Sequence, residues 1–416
     1  MEQIKGIKLS PRHFLVAVLC SFGLLFLLAL LRQPVVDWDE KVYLYLSEHM
    51  TWWLTDYTTR GSFIDDALPQ GVYSAPVFHH PPLVPYLIKL LSFRGAEAGA
   101  KLLNFGLYLA SLFLVFSLAR RFSDLRGATL ALALWALCPV LNLEARLVHL
   151  DLPCTVLLLA GTRLYLESGV RRRARLWLGL SGLAFAAAML TKYTAPLFAA
   201  VPALLFLSDR VRRRDPGAWA VFGGTTALGF AWWIYILLRF GSLAPAAFVS
   251  GGSTETLTPY LRALAQREWT DVWLYFTAIC PLFVVYVAGI GRRVVRLAAA
   301  PGTFRDMPDG PRGFLALNVG ALLAVLVFSL LNAHIGGTWT LRHIMPLFPI
   351  VYIGIGRFLT KAFDREHRVL NAALLALLLL TVLVMSASTF ATTFNERNLK
   401  PAPISLFWLG LEDLFH

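Results

Sequence analysis

The chain has 416 residues, 57% of them hydrophobic and 15% charged, with a mean hydropathy of +0.62. Soluble domains run nearer about 45–50% apolar with about a quarter charged, so a soluble globular protein is excluded and a polytopic membrane protein is indicated. A net charge of +13 would raise nucleic acid as a partner, but the arginines stand in short clusters between apolar runs. No basic stripe interleaves with aromatics, which argues against nucleic acid.

Lys5, Lys8 and Arg12 precede an apolar run from Phe14 to Leu31 with no small-residue cleavage site after it. This reads as a retained first helix rather than a removed signal. Apolar stretches then recur near 99–119, 127–143, 152–168, 176–191, 195–208, 218–239, 272–290, 313–332, 344–360 and 369–388. With the first, near 13–32, they predict an all-α bundle of about eleven transmembrane helices. One transmembrane catalytic domain is expected over 1–388, followed by a tail over 389–416 too short for a separate domain. Placing the N-terminus in the cytoplasm puts five basic clusters on one side: those around Arg120, Arg171, Arg210, Arg292 and Lys361. The four cysteines lack metal-type spacing and read as small buried residues, although Cys138 and Cys154 are placed where a disulfide could form.

The outward side receives the acids, most histidines and the long connections. The first outward loop, 33–98, carries Asp37-Trp38-Asp39-Glu40, then His79-His80-Pro81-Pro82. Its stretch Leu83 to Phe93 is too short to span and is expected as a juxtamembrane helix. A second loop over about 240–271 is rich in Gly, Ser, Thr and Ala, and a third over about 332–343 ends in Arg342-His343.

Carboxylates at a helix start are often merely solvated, because acids favour the first turn. Asp39, with Asp37 and Glu40, could equally act as a general base or hold a divalent cation, with His80 as a further ligand. The short turn between the third and fourth spans adds Glu144, Arg146, His149 and Asp151. Lys192 follows Arg175 by about 25 Å of helix, which sets it at the outward end of the fifth span against the usual sorting of basic residues. A cation there suits a lipid phosphate. Arg342, before Pro346 and Pro349, suits the same role because guanidinium pairs bidentately with phosphate.

These features together resemble the GT-C class of integral-membrane glycosyltransferases. The resemblance is to the branch of dolichyl-phosphate-mannose protein mannosyltransferases and the bacterial aminoarabinose and galacturonosyl transferases. It rests on Asp39-Glu40 with Tyr43, on His80 to Leu83, on Thr191-Lys192 closing the fifth span, and on Arg342-His343 with Pro346 and Pro349. It covers residues 1–360 in order and spacing. The resemblance implies an inverting transferase of the bacterial inner membrane and cell envelope, with its active site on the periplasmic side. A sugar would pass from a polyprenyl phosphate to a lipid, glycan or protein acceptor.

By the same resemblance Asp39 is the base or acceptor orienter, while Lys192 and Arg342 bind the donor phosphate. Tyr43, His79, His80, Glu144, Arg146, His149, Asp151 and His343 are expected to line the cavity. No cofactor is required; a divalent cation on Asp37, Asp39 and His80 is one option. His343 departs from the family's commoner tyrosine, and no large C-terminal soluble domain follows, which leaves the acceptor open. The alternative is a transporter or lipid flippase without covalent chemistry, which would place ionisable residues near the bilayer midplane. Only a few, such as Arg163, fall inside predicted spans, and Arg163 can snorkel to the nearby Arg171 cluster.

Overall fold

A computed structural model describes residues 11–32, 38–53, 56–66, 77–78, 80–169, 172–192, 195–241, 280–300, 307, 309–335, 341–364 and 367–394. Among these the regular structure is helical, with one isolated bridge between Phe93 and Gly95. The first helix, α1, spans Pro11–Arg32. The first loop contributes α2 (Trp38–His49), the single turn α3 (Phe63–Asp66) and α4 (Leu83–Leu91). There follow α5 (Ala96–Phe122), α6 (Leu125–Ala136), α7 (Pro139–Glu144), α8 (Asp151–Ser168), α9 (Ala174–Met189) and α10 (Ala200–Ser208). The remainder are α11 (Pro216–Phe240), α12 (Leu282–Ala299), α13 (Asp309–Ile335), α14 (Phe348–Phe363) and α15 (Arg368–Phe394).

Every predicted span coincides at least in part with helical backbone, and the differences have local causes. The stretch 127–143 is two helices, α6 and α7, because Pro139 lacks an N–H and its ring opposes the carbonyl four residues back. Within the stretch 272–290 the described helix is α12, which follows Pro281 and runs on through Arg292, Arg293 and Arg296. Residues 271–279, like most of the 240–271 loop and all of 395–416, lie outside the described residues. The last helix, expected near 369–388, reaches Phe394. The four cysteines are free thiols, so no Cys138–Cys154 disulfide forms.

Among the described residues, and by length and composition alone, four helices could cross a membrane: Ala96–Phe122, Pro216–Phe240, Ile344–Phe363 and Arg368–Thr389. Shorter apolar helices cover Leu15–Leu31, Leu125–Ala136 and Ala174–Met189. Large apolar side chains stand exposed on these helices, among them Leu24, Leu25 and Leu31 on α1 and Leu379 and Leu383 on α15. In water that area would drive aggregation; in a bilayer it faces hydrocarbon.

Helix packing relies on small residues where backbones approach, as in other membrane bundles. The α6–α14 crossing is the clearest case: a Cβ on Gly127 would stand 3.0 Å from the carbonyl oxygen of Gly356. The main core runs from Phe26 and Leu30 of α1 through Trp135 of α6 to Phe348 and Tyr352 of α14.

A second core sits beneath the first loop. Val42, Tyr43, Leu46, Met50, Phe78, Val84 and Ile88 cluster there with Val148, Leu150, Trp232 and Ile236. The loop therefore folds onto the turn before α8 and onto α11 rather than standing free in solvent. Lys89 of α4 donates to the carbonyls of Ser47 (3.4 Å) and Glu48 (3.5 Å) near the end of α2, where a cation suits the helix dipole. Trp52 stacks on Tyr86 with ring centroids 5.4 Å apart while Trp53 and Phe93 stay exposed, an aromatic rim suited to a membrane–water interface.

Candidate active site

The buried ionisable residues at this end of the bundle come from three segments. Asp39 and Glu40 occupy the first turn of α2. Glu144, Arg146, His149 and Asp151 lie on the turn linking α7 to α8, and Lys192 follows α9. Glu40, Glu144, Arg146, His149, Asp151 and Lys192 are all at most 5% exposed. Charges buried to that degree require partners, because the desolvation cost is several kcal/mol per ion, on the order of the whole stability of a small domain.

The partners are specific. Glu40 Oε1 accepts a 2.9 Å hydrogen bond from the Val148 backbone N–H, joining the first loop to the turn before α8. Glu144 Oε2 lies 2.5 Å from His149 Nδ1. Lys192 Nζ donates to Asp151 Oδ1 at 2.6 Å, fixing the outlet of α9 to the first residue of α8. Asn104 of α5 supports the same turn through its amide, 2.8 Å from the Leu147 carbonyl. Arg146 donates its Nε to the Asn142 carbonyl at 2.9 Å. Burial pushes the Arg146 guanidinium down to about 10, which still leaves it charged at neutral pH.

The expected site residues thus divide by what the structure describes. Glu144, His149, Asp151 and Lys192 converge, and Glu40 reaches the same turn. Tyr43 of α2 and His80 sit together, rings edge-on with centroids 6.0 Å apart. Asp39 is half-buried and so more accessible than its neighbour Glu40; successive helical residues diverge by about 100°. Asp37 and His79 lie outside the described residues. Arg342 and His343 lie in the short helical turn Leu341–Leu347, whose backbone packs against α8 and α7, and their side chains lie outside the described residues.

Among the described residues one group has metal-ligand geometry, while Asp37 of the expected Asp37–Asp39–His80 set lies outside them. Glu144, His149 and Asp151 each offer a ligand atom within 4.8 Å of the others, and all three are buried. Glu144 Oε1 finds no hydrogen-bond partner among the described residues. A carboxylate–imidazole–carboxylate set suits a borderline divalent cation such as zinc or manganese. Lys192 already holds Asp151, however, so a cation would have to share or displace that ammonium.

Sequence reasoning named the members of this cluster but not its pairings, and it passed over Asn104. The available signal was one amide in an otherwise apolar turn of α5.

Residues 79–236 match the family described as dolichyl-phosphate-mannose-protein mannosyltransferase. That segment includes His80, Glu144, His149, Asp151 and Lys192, but neither Asp39 nor Arg342. Comparison with curated protein sequences finds no match. Among solved structures, the chain is similar to ArnT from Cupriavidus metallidurans bound to undecaprenyl phosphate, with a TM-score of 0.56 at 18% identity. That match covers 96% of this chain and 69% of ArnT.

It is also similar to the Archaeoglobus fulgidus oligosaccharyltransferase tethered to an acceptor peptide, at TM-score 0.56 and 13% identity, covering 92% and 55%. A third similarity is to the arabinofuranosyltransferase AftD from Mycobacteria, at 0.52 and 19%, covering 94% of this chain and 27% of that one. At such identities the likeness speaks to architecture: this chain has the fold of the GT-C membrane glycosyltransferases.

Proposed function

We propose that the protein is an inverting glycosyltransferase of a bacterial inner membrane. It moves a sugar from a polyprenyl phosphate to an acceptor on the periplasmic side. The observation that carries this reading is the buried Asp151–Lys192 pair, 2.6 Å apart, at the end of a GT-C bundle where Glu40 docks the first loop. A lysine held by a carboxylate in so dry a setting is positioned to attract a phosphate, the natural competitor for that carboxylate. The match to the mannosyltransferase family over 79–236, and undecaprenyl phosphate in the similar ArnT structure, support the donor class.

The reaction then follows from charge. An acceptor hydroxyl attacks the anomeric carbon while the bond from that carbon to the donor phosphate oxygen breaks. The electron pair stays on the phosphate, leaving polyprenyl phosphate, and the acceptor proton passes to Asp39. Lys192 and Arg342 stabilise the extra negative charge that develops on the leaving group, the term that most lowers such barriers. In this reading Glu40 anchors α2 to the turn before α8, and Asp39, on the neighbouring position of the same helical turn, reaches the acceptor. Tyr43, His80 and the Glu144–His149 pair shape the acceptor side.

A phosphate held by two cations does not require a metal. The single-domain organisation over 1–388 and the cytoplasmic N-terminus belong to this reading, supported by the five one-sided basic clusters. The test is incubation of the full chain in nanodiscs with labelled polyprenyl-phosphate sugars and an envelope lipid extract. Release of free polyprenyl phosphate with transfer of label is expected. Movement of intact donor between leaflets without bond cleavage would instead mark a flippase.

A further inference from the structure

Far from the Asp151–Lys192 pair, α1, α5 and α8 leave a cavity of about 320 Å³ between them. Arg163 in its wall lies about 18 Å along α8 from Asp151 at the standard helical rise. Leu15, Phe113 and Phe116 form its apolar side, and Arg120, Arg121 and Arg163 supply three guanidinium groups. Phe113 stands half exposed, so the apolar wall reaches the outer surface of the bundle.

Two of the arginines are held in place. Arg121 of α5 reaches across to α8 and donates to the Leu166 carbonyl at 3.4 Å. Arg163 pairs with Glu167 one turn further along the same helix. Two guanidiniums from different helices are thereby tied to one turn of α8 before any ligand arrives. Three arginines and one carboxylate, Glu167, leave a formal charge of +2 on these four side chains (three minus one).

We propose that this cavity binds the headgroup of an anionic glycerophospholipid. Its phosphate rests against the guanidiniums and one acyl chain lies along Leu15, Phe113 and Phe116. Guanidinium matches phosphate oxygens bidentately, and basic pockets between transmembrane helices suit anionic headgroups. Free phosphate would satisfy the arginines but leave the apolar wall without a partner. A zwitterionic lipid would satisfy the wall but bring its own cation to a positive cavity. The bound lipid would clamp α1 to α5 and α8 at the end of the bundle away from the transfer site.

The test is native mass spectrometry of the full chain, titrated with phosphatidylglycerol, phosphatidylcholine, polyprenyl phosphate and inorganic phosphate. Preferential retention of phosphatidylglycerol is expected, falling at least about tenfold in Arg121→Gln/Arg163→Gln. An Arg292→Gln/Arg296→Gln control, which removes two exposed arginines from α12 alone, should keep it. Leu15→Trp, which crowds the apolar wall and leaves every arginine in place, should lower retention as well. Equal retention of phosphatidylcholine, displacement by inorganic phosphate or polyprenyl phosphate, or full retention by either cavity variant would overturn the proposal. If the arginine double variant fails to fold by thermal melting, the Leu15→Trp result decides.

Discussion

Glu40 and Val148 stand 108 positions apart in sequence, yet the Glu40 carboxylate accepts the Val148 backbone N–H at 2.9 Å with both residues buried. This bond ties the first loop to the turn that carries His149 and Asp151, and the proposed function accordingly gives Glu40 a positioning role.

Removing it has a calculable cost. Glu40→Ala leaves a buried N–H unsatisfied, expected to cost about 1–3 kcal/mol. Glu40→Gln keeps an acceptor and should lose less than half of that. Thermal melting in detergent measures the first effect. Limited proteolysis of the first loop, faster in Glu40→Ala than in Glu40→Gln, checks its cause.

The Asp151–Lys192 pair separates stability from function. Either Asp151→Asn or Lys192→Met alone strands a buried charge and should destabilise by about 3–5 kcal/mol. Together, Asp151→Asn/Lys192→Met removes both charges and should recover much of that stability while staying inactive. Melting temperature and sugar transfer, measured on all three variants, give the comparison. Recovery of transfer along with stability would mean the pair is structural only.

How much of this was legible beforehand differs between fold and site. Long apolar runs located the main helices among the described residues, because a span must be apolar over its full length whatever it packs against. The break at Pro139 went unread, since the apolar run continues across it. The extension of α12 past residue 290 was not legible: arginines at 292, 293 and 296 look like a loop by composition, yet long guanidinium stems can follow a helix out of the membrane. At the site, residue types and sidedness could be read from the chain. The pairing of Asp151 with Lys192 rather than Glu144, and the bond from Glu40 to a backbone amide, depend on tertiary packing.

Metal dependence has its own expected outcome. Because Lys192 neutralises Asp151 and His149 engages Glu144, the cluster needs no cation to hold its shape. Chelator treatment should leave transfer within about twofold, since the donor phosphate finds its countercharge in side chains. Activity lost with chelator and restored by manganese, and insensitive to chelator in Glu144→Gln, would instead show a cation bound by Glu144, His149 and Asp151.

The α6–α14 crossing gives a prediction free of the chemistry. A Cβ on Gly127 would stand 2.8 Å from the Ser123 hydroxyl oxygen and 3.0 Å from the Gly356 carbonyl. Gly127→Ala should therefore cost about 1–3 kcal/mol by overpacking, and Gly127→Leu more. A graded fall in melting temperature from Gly to Ala to Leu is the readout; equal stability of all three would contradict the close approach.

The central claim is that one pocket divides its labour between a carboxylate and a cation. It is tested by measuring donor binding and single-turnover transfer with the same labelled polyprenyl-phosphate sugar in Asp39→Asn and Lys192→Ala. Asp39→Asn is expected to bind donor as the wild type does and to transfer at least about a hundredfold more slowly, as loss of a general base requires. Lys192→Ala is expected to lose donor affinity. Normal donor binding in folded Lys192→Ala, or undiminished transfer by Asp39→Asn, would contradict the account.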